Sequence, residues 1–193
     1  MGVEYELKYK ATEAQLALLR QTVPGAEKQI AMRTTYYDTP AGALSEKKYT
    51  LRRRLENGVS VCTLKAPISG RGRGEWETEC DRVEDAIPEL IRLGAPEDLA
   101  TFTEAGVIPI CGAEFTRIAR EVIFPTFTAE LALDQGKLFS GEREMPLCEA
   151  ELELKSGSAE DMDGYAARLA AVVGLVPERH SKFRRALALY RGQ

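Results

Sequence analysis

Histidine is almost missing from this chain: His180 is the only one. The four cysteines, Cys62, Cys80, Cys111 and Cys148, form no Cys-x-x-Cys pair. These absences argue against a zinc centre, which is built from thiolates and imidazoles, and against a redox dithiol. The cysteines read as small residues in strands and loops. His180, with no partner motif, reads as a surface residue and not a general base. No apolar run approaches the ~20 residues of a membrane-crossing helix, and no leader signature precedes the first strand. A cytoplasmic location without a membrane partner is the expectation. A basic excess is also missing, since 26 Lys and Arg stand against 30 Asp and Glu, a net charge of -4. That excludes a global cationic field for nucleic acid but leaves room for a local cationic site. Arg52-Arg53-Arg54 is split between two faces by strand alternation and has no aromatic stacking platform. Gly70-Arg71-Gly72-Arg73-Gly74 lacks the Lys-Ser/Thr ending of a P-loop. It reads as a mobile connection, with Arg73 alone pointing toward a site. No repeat occurs at a solenoid period.

What the chain does have is alternation. Its 193 residues suit a single domain, residues 1–193, with a real core. Val3-Glu4-Tyr5-Glu6-Leu7-Lys8-Tyr9 places acid, acid and base on one face of a strand and apolar groups on the other. Glu149-Ala150-Glu151-Leu152-Glu153-Leu154-Lys155 repeats the pattern near the far end. Further strands are expected over 29–37, 49–56, 59–65, 75–81, 114–124 and 127–138. Asn57-Gly58 marks a hairpin, because both central residues of its turn need positive φ. Thr12-Glu13-Ala14-Gln15 is a capping box that opens a helix. Residues 83–106 and 161–173 read as helical, and 181–190 as a short C-terminal helix. Eight largely antiparallel strands with intervening helices give an α+β protein. A closed barrel removes the sheet edges; an open sheet with helices on one face is the competitor.

The charges share faces on strand after strand. Arg52 lies with Arg54, Thr63 with Lys65, and Arg73 with Glu75 and Glu77, while Glu149, Glu151 and Glu153 stack three carboxylates. In an enclosed space such stacking needs divalent cations or facing lysines and arginines. Oxygen-only ligands favour Mg²⁺ or Mn²⁺. Arg matches phosphate with its rigid fork, and Lys acts as a point charge. Carboxylates, a hard metal and a cationic cage are together the apparatus of phosphoryl transfer.

The ordered text then resembles the CYTH superfamily, or triphosphate tunnel metalloenzymes, over nearly the full length. It runs Glu4-x-Glu6-x-Lys8, Tyr36-Tyr37-Asp38-Thr39, Leu51-Arg52-x-Arg54, Thr63-x-Lys65, Arg73-x-Glu75, Phe115-x-Arg117, Leu133-Asp134-x-Gly136, Glu149-x-Glu151-x-Glu153 and Ser181-Lys182-x-x-Arg185. It is most similar to the bacterial inorganic triphosphatases. The resemblance implies a closed eight-stranded antiparallel β-barrel, a tunnel with flanking helices, that hydrolyses a small-molecule triphosphate with Mg²⁺ or Mn²⁺. It implies Lys8, Arg52, Arg54, Lys65, Arg73, Arg117 and Lys182 as the phosphate grip. Glu4, Glu6, Asp134, Glu149, Glu151 and Glu153 become metal ligands, with Glu149 and Glu151 ranked ahead of Glu153. Lys8, Glu4 and Glu6 become the catalytic set, Glu75 and Glu77 orient the cations, and the C-terminal helix closes one tunnel mouth. A thiamine- or nucleoside-triphosphatase, an adenylate cyclase of the same superfamily and a non-catalytic polyphosphate or nucleotide binder remain alternatives. The cyclase branch usually carries a His-Phe pair before its first motif, and this text shows none. Trp76, opposite Glu75, reads as external packing.

Overall fold

The computed structural model describes residues 5–68 and 73–192. The expected Glu4 ligand and the Gly70–Gly72 part of the glycine-rich connection lie outside that range. The capping box is present: Thr12 accepts from the Gln15 backbone and opens α1 (Glu13–Thr22), while Gln15 reaches back to Thr12. That helix follows β1 (Glu6–Lys10) and leads into β2 (Glu27–Asp38). Asp38 is buried at the end of β2 and accepts backbone N–H groups from Thr39, Leu44 and Ser45. It thereby fixes the start of a one-turn helix, α2 (Ala43–Glu46), which sequence alternation could not reveal. β3 (Thr50–Glu56) and β4 (Val59–Pro67) form the expected hairpin, with Asn57 at φ 50° and Gly58 at φ 90°. β5 (Arg73–Glu79) follows.

The helical stretch expected over 83–106 is two helices, α3 (Val83–Arg92) and α4 (Asp98–Thr103). Gly94 at φ 99° and Pro96 break it between them. Three long strands complete the sheet: β6 (Ile108–Ile123), β7 (Phe127–Ser140) and β8 (Arg143–Gly157). Last come α5 (Ala159–Val173), the two-residue β9 (Val176–Pro177) and α6 (Lys182–Arg191).

The strands form one antiparallel sheet in the order β5-β4-β3-β2-β6-β7-β8-β1-β9. Among the described residues it has nine strands, not eight, and it is not closed into a barrel: β5 and β9 are its two edges. The closed-barrel expectation is therefore corrected. Side-chain alternation tells which face a residue occupies, and that is identical in a barrel and an open sheet. The β9 edge is poorly suited to carry pairing further. It is two residues long, and Pro177 has no N–H to donate.

The two faces differ sharply. On one, Leu7, Leu131, Leu133, Ala150 and Leu152 pack against α1 and α5. Farther along the same face Leu51, Leu64 and Trp76 pack against α2, α3 and α4. Leu51, Leu64, Leu90 and Leu99 are fully buried there, each contributing about 1.5–3 kcal/mol. Trp76 is part of this packing, as expected. The other face carries the charges, and among the described residues α6 is the one helix that lies on it. Tyr36, Ala113, Phe115, Leu138 and Leu147 make an apolar seat for Phe183, Ala186 and Leu187, and the Tyr36 and Phe183 rings are 4.9 Å apart.

Candidate active site

Pairing register brings the charges together. Lys10 stands opposite Glu149, Glu149 opposite Asp134, and Asp134 opposite Arg117, so one cross-strand row spans β1, β8, β7 and β6. In the next row Lys8 stands opposite Glu151. Arg117 grips Asp134 with both ends of its fork, at 2.7 and 2.8 Å, and reaches Glu151 at 2.6 Å. From α6, the Lys182 ammonium lies 2.8 Å from Asp134, 2.5 Å from Glu149 and 2.8 Å from Glu151. Arg185, one helical turn on, also pairs with Glu149. The Phe115 ring lies below, 5.4 Å from Lys182 Nζ and 5.9 Å from the Arg117 guanidinium.

Gly136 makes this approach possible. A Cβ there would stand 2.2 Å from the Glu114 carbonyl oxygen and 2.5 Å from Phe115 Cα. β7 could then not lie this close to β6, and Asp134, two residues earlier, would move from Arg117. The glycine is dictated here by space, not by φ.

Asp134 and Glu149 are fully buried, which is tolerable only because cations face them. Burial pushes Glu149 up to about 7 against the pull of Lys182 and Arg185. Glu151 is also penalised by burial, yet Lys182, Glu149 and Arg117 hold it well below the usual carboxylate range. Burial disfavours the Lys182 ammonium, but Asp134, Glu151 and Glu149 more than offset it and keep it charged.

Asp134, Glu149 and Glu151 each offer an oxygen, all within 4.8 Å of one another. Three hard oxygen donors at that spacing suit Mg²⁺ or Mn²⁺ in kind and number. Lys182 Nζ lies within 2.8 Å of all three, so an ion held by the same oxygens would have to compete with the ammonium. Glu6 and Glu153 stand opposite each other on β1 and β8. They are engaged separately, Glu6 by Lys8 at 2.5 Å and Glu153 by Lys155 at 2.8 Å. They do not join the triad.

The remaining expected cations lie on the same face but on β3, β4 and β5. Arg52 stands opposite Thr63 in register, and Thr50 opposite Lys65. Glu75 bridges Arg52 at 3.3 Å and Lys65 at 3.0 Å. Arg54 pairs with Glu56 at 3.0 Å. Glu77 is exposed, opposite Thr63. Arg73 is different: its Nη2 donates to the Lys48 and Lys65 carbonyls and the Thr50 hydroxyl. It ties strand ends together. Between this group and the carboxylates lies β2 with Met32 and Tyr36, under α6.

Two residues absent from the expected set belong to the network. Arg185 was legible in the Lys182-x-x-Arg185 spacing, which puts both cations on one helix face. Glu178 had no signal, since it sits in an irregular segment. Its side chain is 2% exposed and faces Lys10 and Arg185, each at 3.6 Å. His180 is exposed and contributes its backbone N–H to Glu178. The four cysteines are free, and none joins the carboxylate triad. A cavity of about 480 Å³ lies beside α5, lined by Phe124, Phe127, Tyr165 and Arg168. It is remote from all of this chemistry.

The family model of the CYTH domain matches residues 2–187. The chain belongs to the CYTH family. It is 33% identical over 139 residues, 70% of its length, to an inorganic triphosphatase from Haemophilus influenzae. The match spans 39% of that relative, so this CYTH chain covers well under half of it. A candidate adenylyl cyclase from Hippeastrum with a dominant triphosphatase activity superposes with TM-score 0.69, at 20% identity, over 98% of this chain and 95% of that one. A candidate adenylate cyclase from Bacillus halodurans gives 0.61 at 17% identity, over 93% and 94%. A protein from Pyrococcus horikoshii gives 0.59 at 20%, over 96% and 99%. At these identities the structures speak for the fold alone. Among the described residues no helix is long and apolar enough to cross a membrane.

Proposed function

We propose that this CYTH chain is a metal-dependent triphosphatase that converts inorganic triphosphate to pyrophosphate and phosphate on the charged face of its sheet. The observation that carries the reading is the buried cluster of Asp134, Glu149 and Glu151 under Lys182 and Arg117. A buried carboxylate triad is costly and is not needed to build a sheet. It suits a site that must exchange one cation for another.

In this reading Asp134, Glu149 and Glu151 hold Mg²⁺ or Mn²⁺, with Glu6 and Glu153 as further carboxylates toward the β1–β8 end and Glu4 kept as a ligand on the strength of its motif alone. When bound, the ion would neutralise phosphate charge and make a coordinated water more acidic. Arg52, Arg54, Lys65, Arg117 and Lys182 grip phosphate oxygens, and Arg73 braces the strand ends that carry Lys65. Displaced from the triad, Lys182 is free to follow the incoming anion. Water adds to the terminal phosphorus as the bond to the bridging oxygen breaks, and the nearby carboxylates accept the proton it sheds. The Arg and Lys groups stabilise charge on the equatorial and departing oxygens. Lys8, within reach of Glu6, neutralises the leaving pyrophosphate. Inorganic triphosphate is favoured because it presents only phosphate oxygens, and the side chains gathered here are nearly all ionic. The location consistent with such a substrate is the cytoplasm.

The test is a phosphate-release panel over inorganic triphosphate, thiamine triphosphate, ATP and long polyphosphate, with Mg²⁺, Mn²⁺ or chelator. Hydrolysis of inorganic triphosphate above the others, abolished by chelator, is expected. Undiminished turnover by metal-stripped protein would refute the scheme. Cyclic AMP from ATP would make it a cyclase, and stoichiometric binding without hydrolysis a binding module.

A further inference from the structure

Glu178 is a buried carboxylate outside both charged groups. Its backbone N–H donates to the Lys8 carbonyl at 2.8 Å, which continues the β9–β1 pairing by one residue. Its position is therefore fixed by the sheet rather than by α6. Oε1 accepts the His180 N–H at 2.8 Å. Oε2 is buried and has no hydrogen-bond donor; Arg185 Nη1 and Lys10 Nζ stand just out of reach at 3.6 Å. Arg185 meanwhile donates its other terminal nitrogen to Glu149. Lys10, Glu178, Arg185, Glu149, Lys182 and Asp134 thus form a chain of alternating sign. At its midpoint Arg185 is shared between two carboxylates, one in the triad and one outside it.

The sharing has a consequence. If Glu149 turns to a divalent ion, Arg185, 16% exposed, loses its hydrogen-bonded partner and keeps only the 3.6 Å contact with Glu178, an expensive state for a largely buried cation. Glu178 offers it an acceptor that is already dry, already placed and unfilled. We propose that Glu178 is a positioning residue that takes over the Arg185 guanidinium when Glu149 becomes a metal ligand, and so sets how readily the triad accepts an ion. The proposal rests on the metal reading of the triad given above.

Calorimetric titration of metal-stripped protein with Mn²⁺ tests it, on the full chain and on Glu178→Gln, Glu178→Asp and Glu178→Gln/Arg185→Gln. With Glu178→Gln, Arg185 stays with Glu149, and Mn²⁺ binds about tenfold more weakly, the lower end of what outer partners of metal ligands contribute. Glu178→Asp recovers part of the loss. The double variant, with no guanidinium to rehouse, recovers wild-type affinity or better. A role in folding alone would lower the melting temperature of Glu178→Gln and leave its Mn²⁺ affinity unchanged, and that outcome overturns the proposal. So does a double variant as weak as the single one. If the wild-type chain itself takes up no Mn²⁺, the metal reading of the triad has failed, and the proposal falls with it.

Discussion

The β6–β7–β8–β1 half of the charged face and the β3–β4–β5 half carry the same residue types in opposite conditions. In the first, the triad carboxylates are buried or nearly so and each is met by more than one cation: Asp134 by Arg117 and Lys182, Glu149 by Lys182 and Arg185, Glu151 by Lys182 and Arg117. In the second, cations are half-buried and carboxylates lie at the margin, Glu75 between Arg52 and Lys65 and Glu56 beside Arg54. The difference comes from α6. It lays Lys182 and Arg185 over the first half and an apolar stripe over the β2 region between the halves. In the proposed function the first half would have to release Lys182 to take an ion, and the second would exchange its pairing with Glu75 and Glu56 for an anion.

Substitution should expose that contrast. Glu151→Gln removes the carboxylate shared by Arg117 and Lys182, and so leaves two buried cations short of a partner. Phosphate release from inorganic triphosphate should fall by about 10²–10³-fold, with a stability loss of about 3–5 kcal/mol by denaturant melt. A variant of near wild-type activity would show that the first half is structural. Arg54→Gln, in the second half, should raise KM for triphosphate by about tenfold with little change in stability, the worth of one charge-assisted hydrogen bond to an anion. A change in kcat alone would move Arg54 from binding to chemistry. Arg73→Gln should have the smallest effect on turnover and instead cost about 1–2 kcal/mol of stability, because its bonds go to carbonyls and a hydroxyl. A large KM increase without destabilisation would return Arg73 to the grip.

The same contrast shows what a sequence can and cannot say. Alternation over β1, β3 and β8 gave the right face for Glu6, Lys8, Arg52, Arg54, Glu149 and Glu151, because period two is a local property of any strand. The Asn57-Gly58 turn and the Thr12–Gln15 capping box were legible for the same reason. Closure was not, since whether β5 meets the far edge depends on pairing between distant strands. Glu149 and Glu151, ranked ahead of Glu153 on motif position, are the two that meet Asp134, whereas Glu153 is drawn off by Lys155, a pairing the alternation does not reveal. Asp134 joins the triad through a register that Gly136 permits. Glu178 lies where no periodicity operates, and only its burial beside Arg185 marks it.

The proposed chemistry requires both halves to serve one ligand. Anomalous diffraction from crystals grown with Mn²⁺ and a non-hydrolysable triphosphate analogue addresses this directly. Manganese should lie among Asp134, Glu149 and Glu151 with Lys182 withdrawn from that position, and the analogue's oxygens should contact Arg117 together with Arg52, Arg54 or Lys65. Manganese bound elsewhere with Lys182 still seated on all three carboxylates would contradict it.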